Sequence, residues 1–190
     1  LDHYGAEDVT IIGVSLGGEL CMRAAAMEPR IRRVVSWSVL PSIYGALMAD
    51  KPAEIRAKLE HWLDENNRDA ILDLYAGLAE REPLFRWSIQ HSNYAYGTSD
   101  VYEYLQKARA VTIEPVAERI TQDVLLLSAR EDLLVDFALY KQEIDLLKNT
   151  RSLEFAAPGR ALNGQAHCNM GNTKYMLDLI LNWNDRMLER

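Results

Sequence analysis

The sequence contains little cysteine, no long apolar run and fewer basic than acidic residues. Its 190 residues include two cysteines, Cys21 and Cys168, which are too few for a disulfide framework. No apolar run approaches the roughly 20 residues that cross a bilayer, so no membrane span is predicted. With 28 acidic and 21 basic residues the net charge is −7, which argues against nucleic acid as a partner because nucleic acid binds basic surfaces. We therefore expect a protein of a reducing compartment, in the cytoplasm.

The histidines and cysteines show no spacing typical of a metal site. Two cysteines and four histidines are scattered along the chain. Cys168 directly follows His167, but the side chains of adjacent residues rarely face each other, and Cys21 is expected in the core. The sequence therefore predicts no metal centre.

The composition is that of an ordinary globular domain, with 48% hydrophobic and 26% charged residues. Short apolar runs alternate with helical patterns, which predicts an α/β fold whose mostly parallel sheet is flanked by helices. Strands are predicted at 9–14, 31–40, 122–128 and 152–156. Helices are predicted at 16–27, 136–147 and 173–188, and the last has an apolar face formed by Tyr175, Met176, Leu179, Ile180 and Trp183.

The stretch from 42 to 118 differs from the rest of the chain. It shows helical patterns at 52–63, 69–78, 83–90 and 101–108, and its single strand candidate is 111–113. We predict that residues 42–118 form a helical cap inserted into a core made of residues 1–41 and 119–190. Its aromatic residues are expected mainly in the core of that cap, although some could line an apolar pocket.

A serine stands in a glycine-flanked turn between the first predicted strand and the first predicted helix. The segment is Gly13-Val14-Ser15-Leu16-Gly17-Gly18, which matches the G-x-S-x-G pattern of a nucleophile elbow in the required strand–turn–helix context. Small residues are expected at Gly13 and Gly17 because such a turn is tightly packed. A serine hydroxyl held there acts as a nucleophile if a base accepts its proton. We therefore predict Ser15 as the nucleophile.

The same turn predicts one donor for a developing oxyanion. The backbone N–H of Leu16 comes directly after the serine and lies at the positive end of the following helix. An oxyanion hole needs a second donor, which is expected from a segment preceding Leu1.

The base should be one of four histidines. His3 precedes the first strand, while His61 and His91 fall in the predicted cap. His167 lies in a loop after the last strand, where sheets of this type place functional groups, and the chain order Ser…Asp…His requires a late histidine. We therefore predict His167 as the base.

The acid should follow an intermediate strand. Asp132 comes just after the strand at 122–128, where its carboxylate could accept the Nδ1–H of His167 and fix the tautomer of the ring. Glu131 and Asp136 are alternatives, but Glu131 is typical of a solvated loop charge and Asp136 is better placed to cap the next helix. Asp132 is the preferred acid.

The residues named so far resemble the α/β-hydrolase superfamily, and within it the capped hydrolases of the dipeptidyl-aminopeptidase and acylaminoacyl-peptidase-like kind. Capped esterases are among these relatives, and so are pseudooxynicotine-type hydrolases, which cleave a carbon–carbon bond. The resemblance extends over nearly all of the chain. The segments that carry it are GVSLGG (13–18), RAAAMEPRI (23–31), VLLLSARED (124–132) and GQAHCNMGN (164–172).

The resemblance implies a serine hydrolase that cleaves an ester or amide of a small molecule or short peptide through an acyl-enzyme, with no cofactor. It implies the roles of Ser15, Asp132 and His167 given above. Two alternatives stay open: hydrolysis of a carbon–carbon bond by the same residues, and a non-catalytic binding module of the same fold.

In that superfamily several strands precede the elbow, whereas here Ser15 is only the fifteenth residue of a chain that begins with a leucine. We therefore expect the physiological protein to be longer, with N-terminal strands and the second oxyanion donor upstream of Leu1. A homo-oligomer, or a second chain that completes the sheet, is the alternative, because an uncovered apolar edge strand favours aggregation.

Overall fold

A computed structural model describes residues 1–49 and 51–190 of the chain. The described chain divides into two compact units, one formed by Leu1–Ala46 with Thr112–Arg190 and the other by Leu47–Val111. These bounds lie a few residues inside the predicted insertion of 42–118. The function of the second unit as a cap stays a prediction.

The elements follow one another as the alternating pattern predicts. The strands are β1 (Val9–Val14), β2 (Ile31–Trp37), β3 (Asp123–Leu127) and β4 (Ser152–Ala156). The α-helices are α1 (Leu16–Met27), α2 (Ile43–Ala49), α3 (Ala53–Asp64), α4 (Arg68–Arg81), α5 (Pro83–Tyr96), α6 (Val101–Ala110), α7 (Leu139–Leu146) and α8 (Thr173–Leu188). The four strands form one sheet in the order β1-β2-β3-β4, and every neighbouring pair is parallel.

The sheet is apolar on both faces because helices cover each of them. Successive strand residues point to opposite faces, so a strand covered on both sides reads as a continuous apolar run. On one face Val34, Val124 and Leu126 pack with Cys21, Met22 and Ala25 of α1. On the other face Val35, Trp37, Leu125 and Leu127 pack with Met176, Ile180, Trp183 and Met187 of α8.

The outer strand β1 is more exposed than its continuous apolar sequence suggests. It lies at one edge of the described sheet, and Ile12 and Val14 are 46% and 47% exposed. Its apolar sequence alone cannot distinguish an edge from an interior position, because that depends on which segments flank the strand.

Several strands and helices begin or end at other residues than their sequence patterns predict. Strand β2 ends at Trp37 rather than at position 40, because Ser38 takes a φ of 130° that breaks the extended run. Helix α7 begins at Leu139 rather than at 136, since Asp136 accepts a hydrogen bond from the N–H of Ala138 in a preceding turn. The strand predicted at 111–113 is only an isolated antiparallel bridge between Ser42 and Thr112.

The apolar face predicted for α8 is confirmed except at one position. Met176, Ile180 and Trp183 are fully buried and Leu179 packs against them, whereas Tyr175 is 36% exposed. Tyr175 lies in the first turn of the helix.

The unit Leu47–Val111 is helical, and α3 to α6 correspond to the four predicted helical patterns. Leu59, Leu63, Ile71 and Leu105 are almost fully buried in it. Helix α5 continues to Tyr96, beyond the predicted 90, and stops where Gly97 adopts a left-handed conformation. Asp100 then caps α6 by accepting a hydrogen bond from the N–H of Glu103 at 3.0 Å.

A buried carboxyl group in α7 gives the first unit a pH-dependent stability. The side chain of Glu143 is 1% exposed, and neither carboxylate oxygen has a partner of full hydrogen-bond geometry among the described residues, although the N–H of Leu40 and the hydroxyl of Ser36 are close enough to favour the charged form. Burial, reinforced by the nearby charge of Glu19, raises the pKa of Glu143 from 4.5 to about 8. The folded state therefore holds this proton more tightly than the unfolded chain, so stability falls as the pH rises between those two values.

We expect Glu143→Gln to remove this loss. Each unit of pKa difference corresponds to about 1.4 kcal/mol, so the variant should gain stability over the parent chain as the pH is raised from 5 to 8. Urea unfolding at both pH values measures the change, with the exposed Glu189→Gln as the matched control. An equal pH dependence in the Glu143→Gln variant and the parent would contradict the assignment.

Candidate active site

The serine of the predicted elbow sits at a strained point between β1 and α1. Ser15 has φ 56° and ψ −123°, a backbone conformation that residues other than glycine rarely adopt. Its N–H donates to the carbonyl oxygen of Trp37 at 3.0 Å, and its carbonyl accepts from the N–H of Gly18 at 2.8 Å. These bonds hold the turn between the end of β2 and the first turn of α1.

Two of the three elbow glycines are required by space. A Cβ at Gly13 would lie 1.8 Å from the carbonyl oxygen of Gly17, and a Cβ at Gly18 would lie 2.4 Å from that of Ser38. A Cβ at Gly17 would meet no described atom within 4 Å. Close packing therefore requires glycine at Gly13 and Gly18 in the described chain, and the requirement for a small residue at Gly17 stays a prediction.

The structure brings the three predicted side chains into one hydrogen-bonded series. The Oγ atom of Ser15 lies 2.9 Å from Nε2 of His167, and Nδ1 of the same ring lies 2.7 Å from Oδ2 of Asp132. An ionised carboxylate can only accept, so Nδ1 donates to Asp132, and in the neutral ring Nε2 can accept from the serine hydroxyl. The arrangement suits transfer of the serine proton to the imidazole.

The acid is held by its own loop. Oδ1 of Asp132 accepts hydrogen bonds from the N–H groups of Leu134 and Val135 at 2.8 and 3.1 Å, which leaves Oδ2 directed at His167. Burial alone would raise the pKa of Asp132, but the hydrogen bonds from His167 and Leu134 outweigh it, and the pKa lies below its ordinary value. The carboxylate is therefore charged at neutral pH.

The pKa of His167 is shifted in the opposite direction to that of Asp132. The hydrogen bond to Asp132, followed by the contact with Cys168, raises the pKa of His167 above its ordinary value in spite of burial. A raised pKa means that the imidazolium formed when the ring takes a proton is stabilised.

The alternative acids and bases have other partners. Glu131 forms a bidentate pair with the guanidinium of Arg160 at 2.6 Å, and Asp136 caps the turn before α7. Away from the series, His3 stacks edge-on against Tyr4, His91 stacks on Trp87 in α5, and His61 lies in α3. None of these five groups joins the hydrogen-bonded series of the described chain.

The predicted oxyanion donor is the backbone N–H of Leu16, which lies at the N-terminus of α1. Leu16 is the first residue of α1, so its N–H has no acceptor within the helix and is available beside Ser15. The second donor, expected upstream of Leu1, stays a prediction.

The sequence argument missed Asn169, which lies two residues after His167. It is 1% exposed, and its side chain makes hydrogen bonds to Trp37, Ser128 and Gly164. Asparagine tolerates a positive φ, and Asn169 has φ 53°, but nothing local in the sequence shows which distant groups its amide reaches.

The described residues contain no cluster of three or more histidine, cysteine or acidic side chains that could hold a metal ion. Within residues 1–49 and 51–190, no helix combines the length and apolar character needed to cross a membrane.

The fold and this geometry agree with a family assignment. The chain belongs to the alpha/beta hydrolase fold family, whose model matches residues 1–163. Ser15 and Asp132 lie inside the matched range, and His167 lies four residues beyond it.

Known proteins are similar to parts of this chain. Hydrolase acrC of Aspergillus aculeatus is 29% identical over 119 residues, which cover 56% of this chain and 27% of acrC. Among solved structures, the alpha/beta hydrolase GrgF from Penicillium sp. sh18 gives a TM-score of 0.60 at 15% identity, covering 96% of this chain and 64% of GrgF. The 2,6-dihydroxy-pseudo-oxynicotine hydrolase gives 0.55 at 15% identity, covering 94% of this chain and 40% of that protein. The chain thus spans less than two thirds of each, and the likeness to the solved structures concerns the fold.

The elbow geometry predicts unequal effects at two adjacent helical glycines. Gly18→Ala should destabilise the protein by about 3 kcal/mol, because the new methyl overlaps a backbone carbonyl that cannot move freely. Gly17→Ala should change stability by no more than about 1 kcal/mol. Urea unfolding of the two variants measures the difference, and equal effects would contradict the packing described for Gly18.

The electrostatics predict the titration of His167. Its pKa should lie above 6.5 in the folded protein, and Asp132→Asn should lower it because the variant loses the anionic acceptor. Imidazole 15N NMR follows the titration, with His167→Gln identifying the signal. Glu131→Gln is the matched control, since that carboxylate faces Arg160. A pKa unchanged by Asp132→Asn would show that the carboxylate does not act on the ring.

Proposed function

We propose that the protein is a serine hydrolase that cleaves an ester or amide bond through an acyl-enzyme. The observation that carries the proposal is the unbroken series from Ser15 Oγ through His167 to Asp132, with spacings of 2.9 and 2.7 Å. The strained elbow and the family assignment support it.

In the first half of the reaction His167 acts as a base. Nε2 takes the proton of the Ser15 hydroxyl while Oγ bonds to the carbonyl carbon, and the carbonyl π electrons move onto oxygen. The N–H of Leu16 donates to that oxyanion. When the carbonyl re-forms, the bond to the leaving group breaks and the leaving group takes the proton from Nε2.

In the second half water replaces the serine. His167 accepts a proton from water as its oxygen attacks the acyl carbon, and the tetrahedral species then collapses to a carboxylic acid. The Ser15 oxygen leaves and recovers its proton from Nε2. Asp132 remains ionised throughout, holding the ring in the correct tautomer and stabilising the imidazolium.

Exposed apolar residues that neighbour the acid and the base in sequence favour a substrate with an apolar part. Leu133 and Leu134 follow Asp132, and Met170 follows His167 within three residues; these side chains are 96%, 69% and 68% exposed. An ester or acylated amino acid with an apolar group would cover such side chains on binding. This agrees with the resemblance to esterases and acylaminoacyl-peptidase-like hydrolases, and a cap formed by the helical insertion is part of the same proposal.

A hydrophobic fluorophosphonate should label Ser15 in the full natural chain. Ser15→Ala should abolish labelling, and Asp132→Asn should slow it by about 10⁴-fold because the ring loses its tautomer and charge partner. Intact-protein mass spectrometry measures the adduct. Ser88→Ala, at an exposed serine of α5, is the matched control and should label at the parent rate.

No labelling of a folded parent protein would contradict the proposal and favour a non-catalytic binding module. Turnover of p-nitrophenyl esters, acylaminoacyl anilides and a β-diketone then determines the substrate class. Turnover of the β-diketone alone would replace ester or amide cleavage by carbon–carbon bond hydrolysis.

A further inference from the structure

A single buried amide connects the three chain segments that carry the triad. The side chain of Asn169 accepts a hydrogen bond from the indole Nε1 of Trp37 at 3.1 Å and donates to the carbonyl oxygens of Ser128 at 3.1 Å and Gly164 at 2.5 Å. Its residue is 1% exposed, so these bonds are shielded from water.

Each partner belongs to a segment next to one triad member. Trp37 ends β2, and its own carbonyl accepts the N–H of Ser15 at 3.0 Å. Ser128 is the first residue after β3, on the loop that leads to Asp132. Gly164 lies in the loop that leads to His167. The amide of Asn169 is therefore bonded to the supports of the nucleophile, the acid and the base.

The backbone brings the amide to this position. The N–H of Asn169 donates to the carbonyl of Ala166 at 2.7 Å, closing a turn around His167. Both Cys168 and Asn169 have left-handed backbone conformations, with φ of 51° and 53°. Asparagine accepts such a conformation more readily than other residues with a side chain that can both donate and accept.

The pattern of partners requires an amide. Two of the three partners are carbonyl oxygens and need donors, while the indole N–H needs an acceptor. A carboxylate would set its oxygen against a carbonyl, and an aliphatic side chain would leave buried polar groups without partners, which costs about 1–3 kcal/mol for each group. The partner residue Gly164 is itself closely packed, because a Cβ added to it would lie 2.6 Å from Cβ of Pro158.

We propose that Asn169 is a positioning residue of the active site, which holds the His167 loop in register with Asp132 and Ser15. It acts through His167 and does not touch the reacting atoms. The inference rests on the proposed function for its effect on rate, but the placement of the His167 ring can be measured without turnover.

The test distinguishes the effect of the Asn169 amide from the effect of its left-handed backbone conformation. Asn169→Gly keeps the left-handed backbone and removes the amide, while Trp37→Phe removes only the indole donor and keeps an aromatic ring in the core. Asn172→Ala is the matched control: that asparagine lies in the same turn and bonds to Leu162 and Tyr175, but to neither β2 nor the loop after β3.

In the full natural chain we expect Asn169→Gly to lower kcat and the rate of fluorophosphonate labelling by about 10–100-fold with little change in KM, because the imidazole is displaced from its partners. The pKa of His167, followed by imidazole 15N NMR, should fall toward its ordinary value as the bond to Asp132 loosens. Trp37→Phe should change both quantities in the same direction by less. Asn172→Ala should leave both unchanged.

A purely structural role would lower the melting temperature without moving the His167 titration or kcat, and that result in Asn169→Gly would overturn the proposal. If Asn169→Gly does not fold, Trp37→Phe decides by the same two readouts. A parent protein that neither turns over nor labels would refute the proposed function. Even then, a shift of the His167 titration in the variants would support the positioning of the ring by Asn169, and no shift would contradict it.

Discussion

The parallel pairing of the four strands is the constraint on which the candidate site depends. In a parallel sheet the carboxyl ends of all strands meet at one edge, and the loops that follow them converge there. Ser15 follows β1, while the loops bearing Asp132 and His167 follow β3 and β4. Residues separated by 152 positions thus come within 2.9 Å, because each lies a short distance beyond the end of its strand.

The C-terminal ends of the strands bring together the segments that carry Ser15, Asp132 and His167, and hydrogen bonds then determine the geometry of these segments. The two N–H groups that bind one oxygen of Asp132 leave the other for His167. The glycines on either side of Ser15 allow the turn to pass close to Gly17 and Ser38. The buried amide of Asn169 links the loops to β2. A site assembled from three loops needs such ties, since loops are otherwise the more mobile parts of a fold.

Much of this arrangement could be predicted from sequence, for reasons that differ between residues. Ser15 was predictable because its motif is local: the glycines, the preceding strand and the following helix are contiguous. Asp132 and His167 were predictable from their order and from their positions after strands. The close approach of Gly18 to Ser38 was not predictable, because the motif does not show which glycine meets a neighbouring backbone. The exposure of Ile12 and Val14 and the role of Asn169 depend on distant segments, which a single sequence does not reveal.

The sequence by itself determined the alternation of strands and helices, the elbow and the candidate triad, because these depend on local periodicity and on the chemistry of a few residue types. Tertiary structure alone decided that Ile12 and Val14 of β1 stay partly exposed at the edge of the described sheet. It also decided that Glu143 is buried and that one asparagine joins two loops to β2. These features depend on which surfaces and polar groups meet in space, and that pairing is set by the packing of the whole sheet and its helices.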